Sequence, residues 1–453
     1  NSESPAGKFQ LVETGSNNVV FSGKLKKHGT YARWGKESYY FADFSAANKE
    51  GAFKLVVEIG GKQAKAAINI KKAELNRALS DAAKYFYYQR CGTEIPGWHG
   101  PCHTDDPQGT TGGWHDAGDY NKYIYTQWQP AWALLDLYRK TKEPKYLAEA
   151  RWGEDFLAKM VRTDGSMWSA VFGGWDWVRP EQNASPRELT EAQWGNPAWA
   201  VATNSATFAK MAGQTTGAER EKFLGLAKRT NQYFRQHFNF GKIPRGEDFQ
   251  GLGGIVLSDL LLNELTGDKT YLADAEKNTR LILAHQDQRG FFFSDDNKQE
   301  PFWDDYETYF FVEALGDYAK RFPTAQLTGR IKASLGNLAD NHLKKLAYNT
   351  PFRQMQWLDI FDNHPRNGEV FENFHDKRID GWIRGSNSYY LSAANAAMIA
   401  YSLLGKPEYK EIAINQLNWV LGVNPYGISF MEGHCVRCTK SYHTRLDTLP
   451  GHK

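Results

Sequence analysis

Near Lys72 the hydrophobic period of this chain changes. Upstream, short apolar runs (Phe9 to Leu11, Val19 to Phe21, Tyr39 to Phe41, Phe53 to Val57) are separated by Gly and Asn, and Ala66, Ile68 and Ile70 alternate with period two. Such runs read as strands, and together they suit a small β-sandwich. Downstream, Leu75, Leu79, Ala82 and Phe86 fall on one helical face, and helical patterns dominate from there. Thr141 to Leu147 and Thr266 to Leu272 share one motif, with a looser copy at Gly405 to Tyr409. Each reads as a helix stop, a tight turn and a helix start. Roughly eleven or twelve helices joined in hairpins predict an (α/α)6 barrel. No strict repeat length supports a helical solenoid instead.

The charge excludes some classes of partner. A net charge of +3 over 453 residues is nearly balanced, and no Lys/Arg cluster suits nucleic acid or an anionic membrane. No apolar stretch approaches the ~18 residues of a membrane span. The opening Asn1-Ser2-Glu3 is no signal peptide and matches a mature or trimmed start. Aromatic residues reach 14%, which suits either a large aromatic core or a cleft whose walls stack on sugar rings. Four cysteines, Cys91, Cys102, Cys435 and Cys438, are too few for a disulfide scaffold.

The chemistry concentrates at Gly112-Gly113-Trp114-His115-Asp116-Ala117-Gly118-Asp119-Tyr120. Glycines admit a close backbone approach, and Trp114 offers an apolar face to a ring-shaped substrate. Asp116 and Asp119 lie too close together to be the two carboxylates of an inverting glycosidase, which stand about 6.5–9.5 Å apart. They suit the holding of one water between them. A calcium-binding or turn-capping Asp pair is the alternative. Cys91, Cys102, His103 and His115 offer two thiolates and two imidazoles, a closed tetrahedral zinc set, with His99 competing for the fourth place. A Cys91–Cys102 disulfide is the other option. Cys435-Val-Arg-Cys438 favours a local disulfide, since no thioredoxin-like βαβ context surrounds it.

These motifs resemble glycoside hydrolase family 9, the inverting cellulase family, over nearly the whole chain. The resemblance implies an immunoglobulin-like β-sandwich at 1–72 and a mainly α, (α/α)6-barrel hydrolase domain at 73–453. It implies Asp119 as the catalytic base, Asp116 as its partner in positioning the water, and a structural zinc at the Arg90-Cys91-Gly92 and Cys102-His103 signatures. It places Trp177, Trp303 and Trp382 on cleft loops, each with core packing as the alternative. It assigns His443 and Arg445, after the Leu421-Gly-Val-Asn-Pro425 turn, to sugar hydroxyls. Two departures are expected: the sandwich lacks its usual first strand, and the family's general acid, a Glu well beyond the His-x-Arg pair, has no counterpart before Lys453. Both ends therefore read as clipped. The implied activity is hydrolysis of β-1,4-glucan, most simply by an endoglucanase. An exo-acting relative and a non-catalytic carbohydrate-binding protein are the alternatives, and the implied location is extracellular or periplasmic.

Overall fold

The computed structural model describes residues 7–31, 34–71, 74–97, 99–104, 109–116, 121–172, 188–190, 198–240, 247–293, 296, 298, 309–361, 368–372 and 387–431. The chain begins with six strands: β1 Lys8–Glu13, β2 Val19–Lys24, β3 Lys26–Thr30, β4 Ser38–Phe41, β5 Gly51–Ile59 and β6 Lys62–Ile70. Four of them form an antiparallel sheet in the order β2-β1-β5-β6, and β3 pairs with β4. Phe9, Leu11 and Phe53 are its buried side chains. The β5–β6 hairpin turns through Gly60 (φ +55°) and Gly61 (φ +73°), the positive-φ pair that a two-residue hairpin of matching twist demands. The sequence gives no sign of β3, because Lys26-Lys-His-Gly-Thr carries no apolar alternation. Trp34 meets Phe352 of the helical part at 5.7 Å, and the Arg353 guanidinium lies over both Phe41 and Tyr348.

Helix α1, Glu74–Tyr88, lies where the sequence predicts it, but its expected buried face does not. Leu75 and Leu79 are 56% and 46% exposed, and of the expected face Phe86 alone reaches inward, against Trp114 at 5.5 Å, while Ala78 and Ala83 supply the rest of the buried side. Among the described elements α1 touches chiefly α3, so most of its apolar stripe has no neighbour there.

Beyond α1 the chain passes through β7 (Lys122–Tyr123) into α2 (Ile124–Thr141) and α3 (Pro144–Met160). The short strands β8 (Ala170–Phe172) and β9 (Glu188–Thr190) pair beside β7. Then come α4 (Ala198–Ala212), α5 (Gly217–His237), α6 (Glu247–Thr266), α7 (Lys269–Ala284), α8 (Phe310–Arg321), α9 (Gln326–Asn337) and α10 (Lys344–Tyr348). A π-turn at Leu338–Leu343 joins the last two. The hairpin β10 (Trp357–Phe361) and β11 (Gly368–Glu372) precedes α11 (Asn387–Leu404) and α12 (Pro407–Val420).

Among the described residues these helices form two layers. Helices α2, α4, α6, α8 and α11 each touch the next, and α3, α5, α7, α9 and α12 each lie on the inner helix preceding them. All fifteen residues of α4 are buried, as befits a helix with neighbours on every side. Gly253 and Gly254 of α6 let the inner helices close up: a Cβ on Gly253 would stand 2.8 Å from the Phe311 backbone, and one on Gly254 would stand 2.6 Å from the Thr203 nitrogen. All three predicted turns fall between an inner and an outer helix, at α2/α3, α6/α7 and α11/α12. Gly267 and Gly405 take the left-handed conformation there, and Lys142 does so in the first copy.

This alternation orients the molecule. Hairpin-linked helices run antiparallel, so the inner helices share one direction and their N-termini face one end. The segments that feed those N-termini are 112–123, 173–197, 241–246, 294–308 and 373–386. They include the motif run and the stretches that hold Trp177, Trp303 and Trp382.

Candidate active site and metal centre

The Gly112–Asp116 run is a strand-like segment locked from three sides. Arg90 and Trp114 form an antiparallel bridge, with the Cys91 N–H donating to Gly113 C=O (2.9 Å) and the His115 N–H donating to Gln89 C=O (2.8 Å). Gln127 of α2 clamps Trp114 from the other edge. Its Oε1 accepts from the Trp114 N–H (2.9 Å) and its Nε2 donates to the Trp114 carbonyl (2.8 Å). Helix α3 supplies the floor: Trp152 Nε1 donates to Gly113 C=O (3.0 Å) and Lys159 Nζ to Thr111 C=O (2.7 Å). Gly113, at φ +68°, lies so close to Phe156 that an added Cβ would stand 2.7 Å from that ring.

Trp114 corrects the expectation of a substrate face. It is 2% exposed, its indole N–H donates to Glu149 (2.9 Å), and Gly153 of α3 leaves room for the ring edge. Glu149 also holds Arg90 through two bonds of 3.0 and 2.8 Å. The ring is thus a wedge between α1 and α3. Alternation decides the matter: the bridge turns Trp114 toward the helices.

Asp116 follows three buried residues and is itself part-exposed. Its backbone N–H donates to Asn121 C=O at 2.8 Å. That bond joins the two ends of the loop carrying Asp119. Tyr85 is 47% exposed but lies close enough to sense Asp116: the partial burial of its phenol first, and then the Asp116 charge, raise it above the ordinary value. Asp119 itself, with Trp177, Trp303, Trp382, Cys435, Cys438, His443 and Arg445, lies outside the described residues.

The same bridge brings the metal candidates together. The ligating atoms of Cys91, Cys102, His103 and His115 all lie within 4.8 Å of one another, and all four residues are buried. Cys91 Sγ is 3.2 Å from His103 Nδ1, and Cys102 Sγ is 3.6 Å from His115 Nε2. A tetrahedral zinc with bonds of about 2.0–2.3 Å needs edges of roughly 3.3–3.8 Å, so the donor set fits with small movements. His99 turns its Nδ1 to Gly100 C=O (2.7 Å) and is not in the set, and Cys91 and Cys102 are free thiols. Burial works to raise the Cys91 thiol, but the bond with Cys102, the Lys122 ammonium and the two imidazoles hold it well below the usual value. The Cys91 contact and burial push Cys102 up. Burial takes His115 down to about 4, so its ring stays neutral, the form that ligates a metal.

Sequence reasoning missed the supports: Gln127, Glu149, Trp152, Lys159 and a fully buried Lys122. Only the last had a signal, a lysine directly behind the motif in a segment that then turns apolar.

Comparison with known proteins agrees with this architecture. The profile of the cellulase N-terminal Ig-like domain matches residues 1–62. A cellodextrinase of Butyrivibrio fibrisolvens is 26% identical, covering 97% of this chain and 83% of the relative. Endoglucanase D of Acetivibrio thermocellus is 24% identical, covering 92% and 68%. In fold, the chain resembles a metagenome-derived glycoside hydrolase family 9 endoglucanase (TM-score 0.72, 22% identity, 98% and 82% covered). It also resembles a zinc-binding triple mutant of another family 9 endoglucanase (TM-score 0.68, 23% identity, 98% and 84% covered). With the profile of Glycosyl hydrolase family 9 matching residues 76–453, the chain belongs to that family and is a glycoside hydrolase.

Proposed function

We propose that this hydrolase cleaves β-1,4-glucan internally and with inversion, using Asp119 as the base and Asp116 to help hold the attacking water. The observation that carries this reading is the closed loop base: Asp116 emerges part-exposed from a locked, buried segment, and its backbone is bonded to Asn121. A carboxylate on such a support keeps its place while a water loses its proton. Protonation of the leaving oxygen falls to a second carboxylate across the bond. Trp177, Trp303 and Trp382 are assigned to the sugar-stacking walls, and His443 and Arg445 to sugar hydroxyls, which these donors suit. In sequence, Trp177, Trp303 and Trp382 precede α4, α8 and α11. Residues 1–72 are assigned to the immunoglobulin-like module and 73–453 to the catalytic barrel.

The proposed zinc ligands are Cys91, Cys102, His103 and His115. Zinc there would brace the turn and take no part in the chemistry, since four protein ligands leave no open position. The cellodextrinase relative, named for short oligosaccharides, favours a second reading, to which we join exo-action that releases one small product. Product analysis on soluble β-1,4-glucan separates the two: a ladder of oligomers supports internal cleavage, and a single small product supports the second. Asp119→Asn is expected to lower kcat by about 10²–10⁴-fold, the range of lost general-base function, with glucan binding retained in affinity electrophoresis. Hydrolysis at the wild-type rate would remove Asp119 from the role of base.

A further inference from the structure

Lys122 opens β7 directly behind the Asp116–Asn121 loop and is 0% exposed. An ammonium has three N–H donors, and three acceptors surround this one: Thr110 C=O at 2.5 Å, Gly112 C=O at 2.9 Å and Cys91 Sγ at 3.1 Å. Below it lies the Phe156 ring, 4.5 Å away, a face that favours a cation. A buried cation is costly unless every donor is used, and a methionine would fill the same volume without that cost. The arrangement therefore needs a reason beyond packing.

The reason lies in what the three acceptors belong to. Cys91 is a candidate metal ligand; Thr110 and Gly112 begin the motif turn; the neighbour of Lys122, Asn121, closes the Asp119 loop through its bond to the Asp116 N–H. We propose that Lys122 is a positioning residue that couples the Cys91 metal centre to the Asp116–Asp119 loop. One ammonium fixes the spacing between the cysteine, the glycine turn and the strand that ends the loop. The half of this inference that concerns turnover rests on the function proposed above; the half that concerns the metal does not.

The test compares the full chain with Lys122→Met, which removes the ammonium, and Lys122→Gln, which keeps a donor without the charge. Both are loaded with zinc. Three quantities are read: zinc per chain with its release rate to a chromophoric chelator, kcat and KM on soluble β-1,4-glucan, and Tm. Groups that support a metal ligand from outside typically change metal affinity about 10–100-fold, and zinc release is expected to quicken by that factor. A displacement of about 1 Å at a catalytic group can cost 10²-fold; kcat is expected to fall by that much with KM within about threefold. A residue that served stability alone would lower Tm and leave both the release rate and kcat near wild type. If Lys122→Met does not fold, Lys122→Gln decides. Wild-type chain that takes up no zinc, or Lys122→Gln that releases zinc at the wild-type rate, overturns the proposal. Wild-type chain inactive on glucan would instead sink the proposed function, and the release rates would still judge Lys122.

Discussion

Glu154 of α3 has no exposed surface, and burial raises its carboxyl to about 8. In the unfolded chain it titrates near the usual value of about 4.3. Between these two values the folded protein holds a proton that the unfolded chain has released, so folding stability falls as pH rises through that window. The contribution is complete below about pH 4 and lost by about pH 8, and amounts to a few kcal/mol. Glu154→Gln is expected to raise Tm at pH 8 and to leave it nearly unchanged at pH 4, as scanning calorimetry at the two pH values can show. An equal change at both would contradict the buried, protonated carboxyl. Single residues were the least legible level of this molecule. The Cys91, Cys102, His103 and His115 set could be named from chemistry alone because few residue types bind zinc. The orientation of Trp114 could not, because it depends on which edge of the Arg90 bridge faces α3.

Elements were legible where local chemistry decides them. The helix stop and start at Thr266-Gly267-Asp268 is written in one glycine and one capping aspartate, whose side chain accepts from the Thr270 N–H. Strand β3 and the burial of α1 were not, because they depend on distant partners. Among the helical glycines described, Gly254 makes the closest approach to another backbone, that of Ala202 and Thr203 across the α4–α6 contact. Gly254→Ala is expected to destabilise the fold by about 1–3 kcal/mol, the usual range for overpacking. Gly225 of α5, with nothing within 4 Å of an added Cβ, is the control. Gly225→Ala is expected to stabilise by about 0.5–1 kcal/mol, through helix propensity alone. Urea titration reads both, and equal effects at the two sites would refute the close approach.

At the scale of the whole molecule, the Cys91, Cys102, His103 and His115 cluster joins the end of α1, the segment 99–104 and the motif turn, and the zinc proposed there would tie them into one unit. Removal of metal with a strong chelator is expected to lower Tm by several degrees and kcat with it, both restored by zinc. Tm unmoved by chelation would mean that the cluster holds itself. The hairpin array itself was legible as a class from the recurring turns, whereas the common direction of the inner helices required the antiparallel alternation of real helices. That alternation has an electrostatic consequence. Each peptide dipole points along its helix, and an α-helix presents about half a positive charge at its N-terminus. The inner helices therefore direct their positive ends toward one end of the molecule, the end at which Asn121, Lys122 and Tyr123 lead into α2. A field of that sign favours negative charge close to those termini, so an anionic ligand or side chain that reaches them is held more firmly than a cationic one.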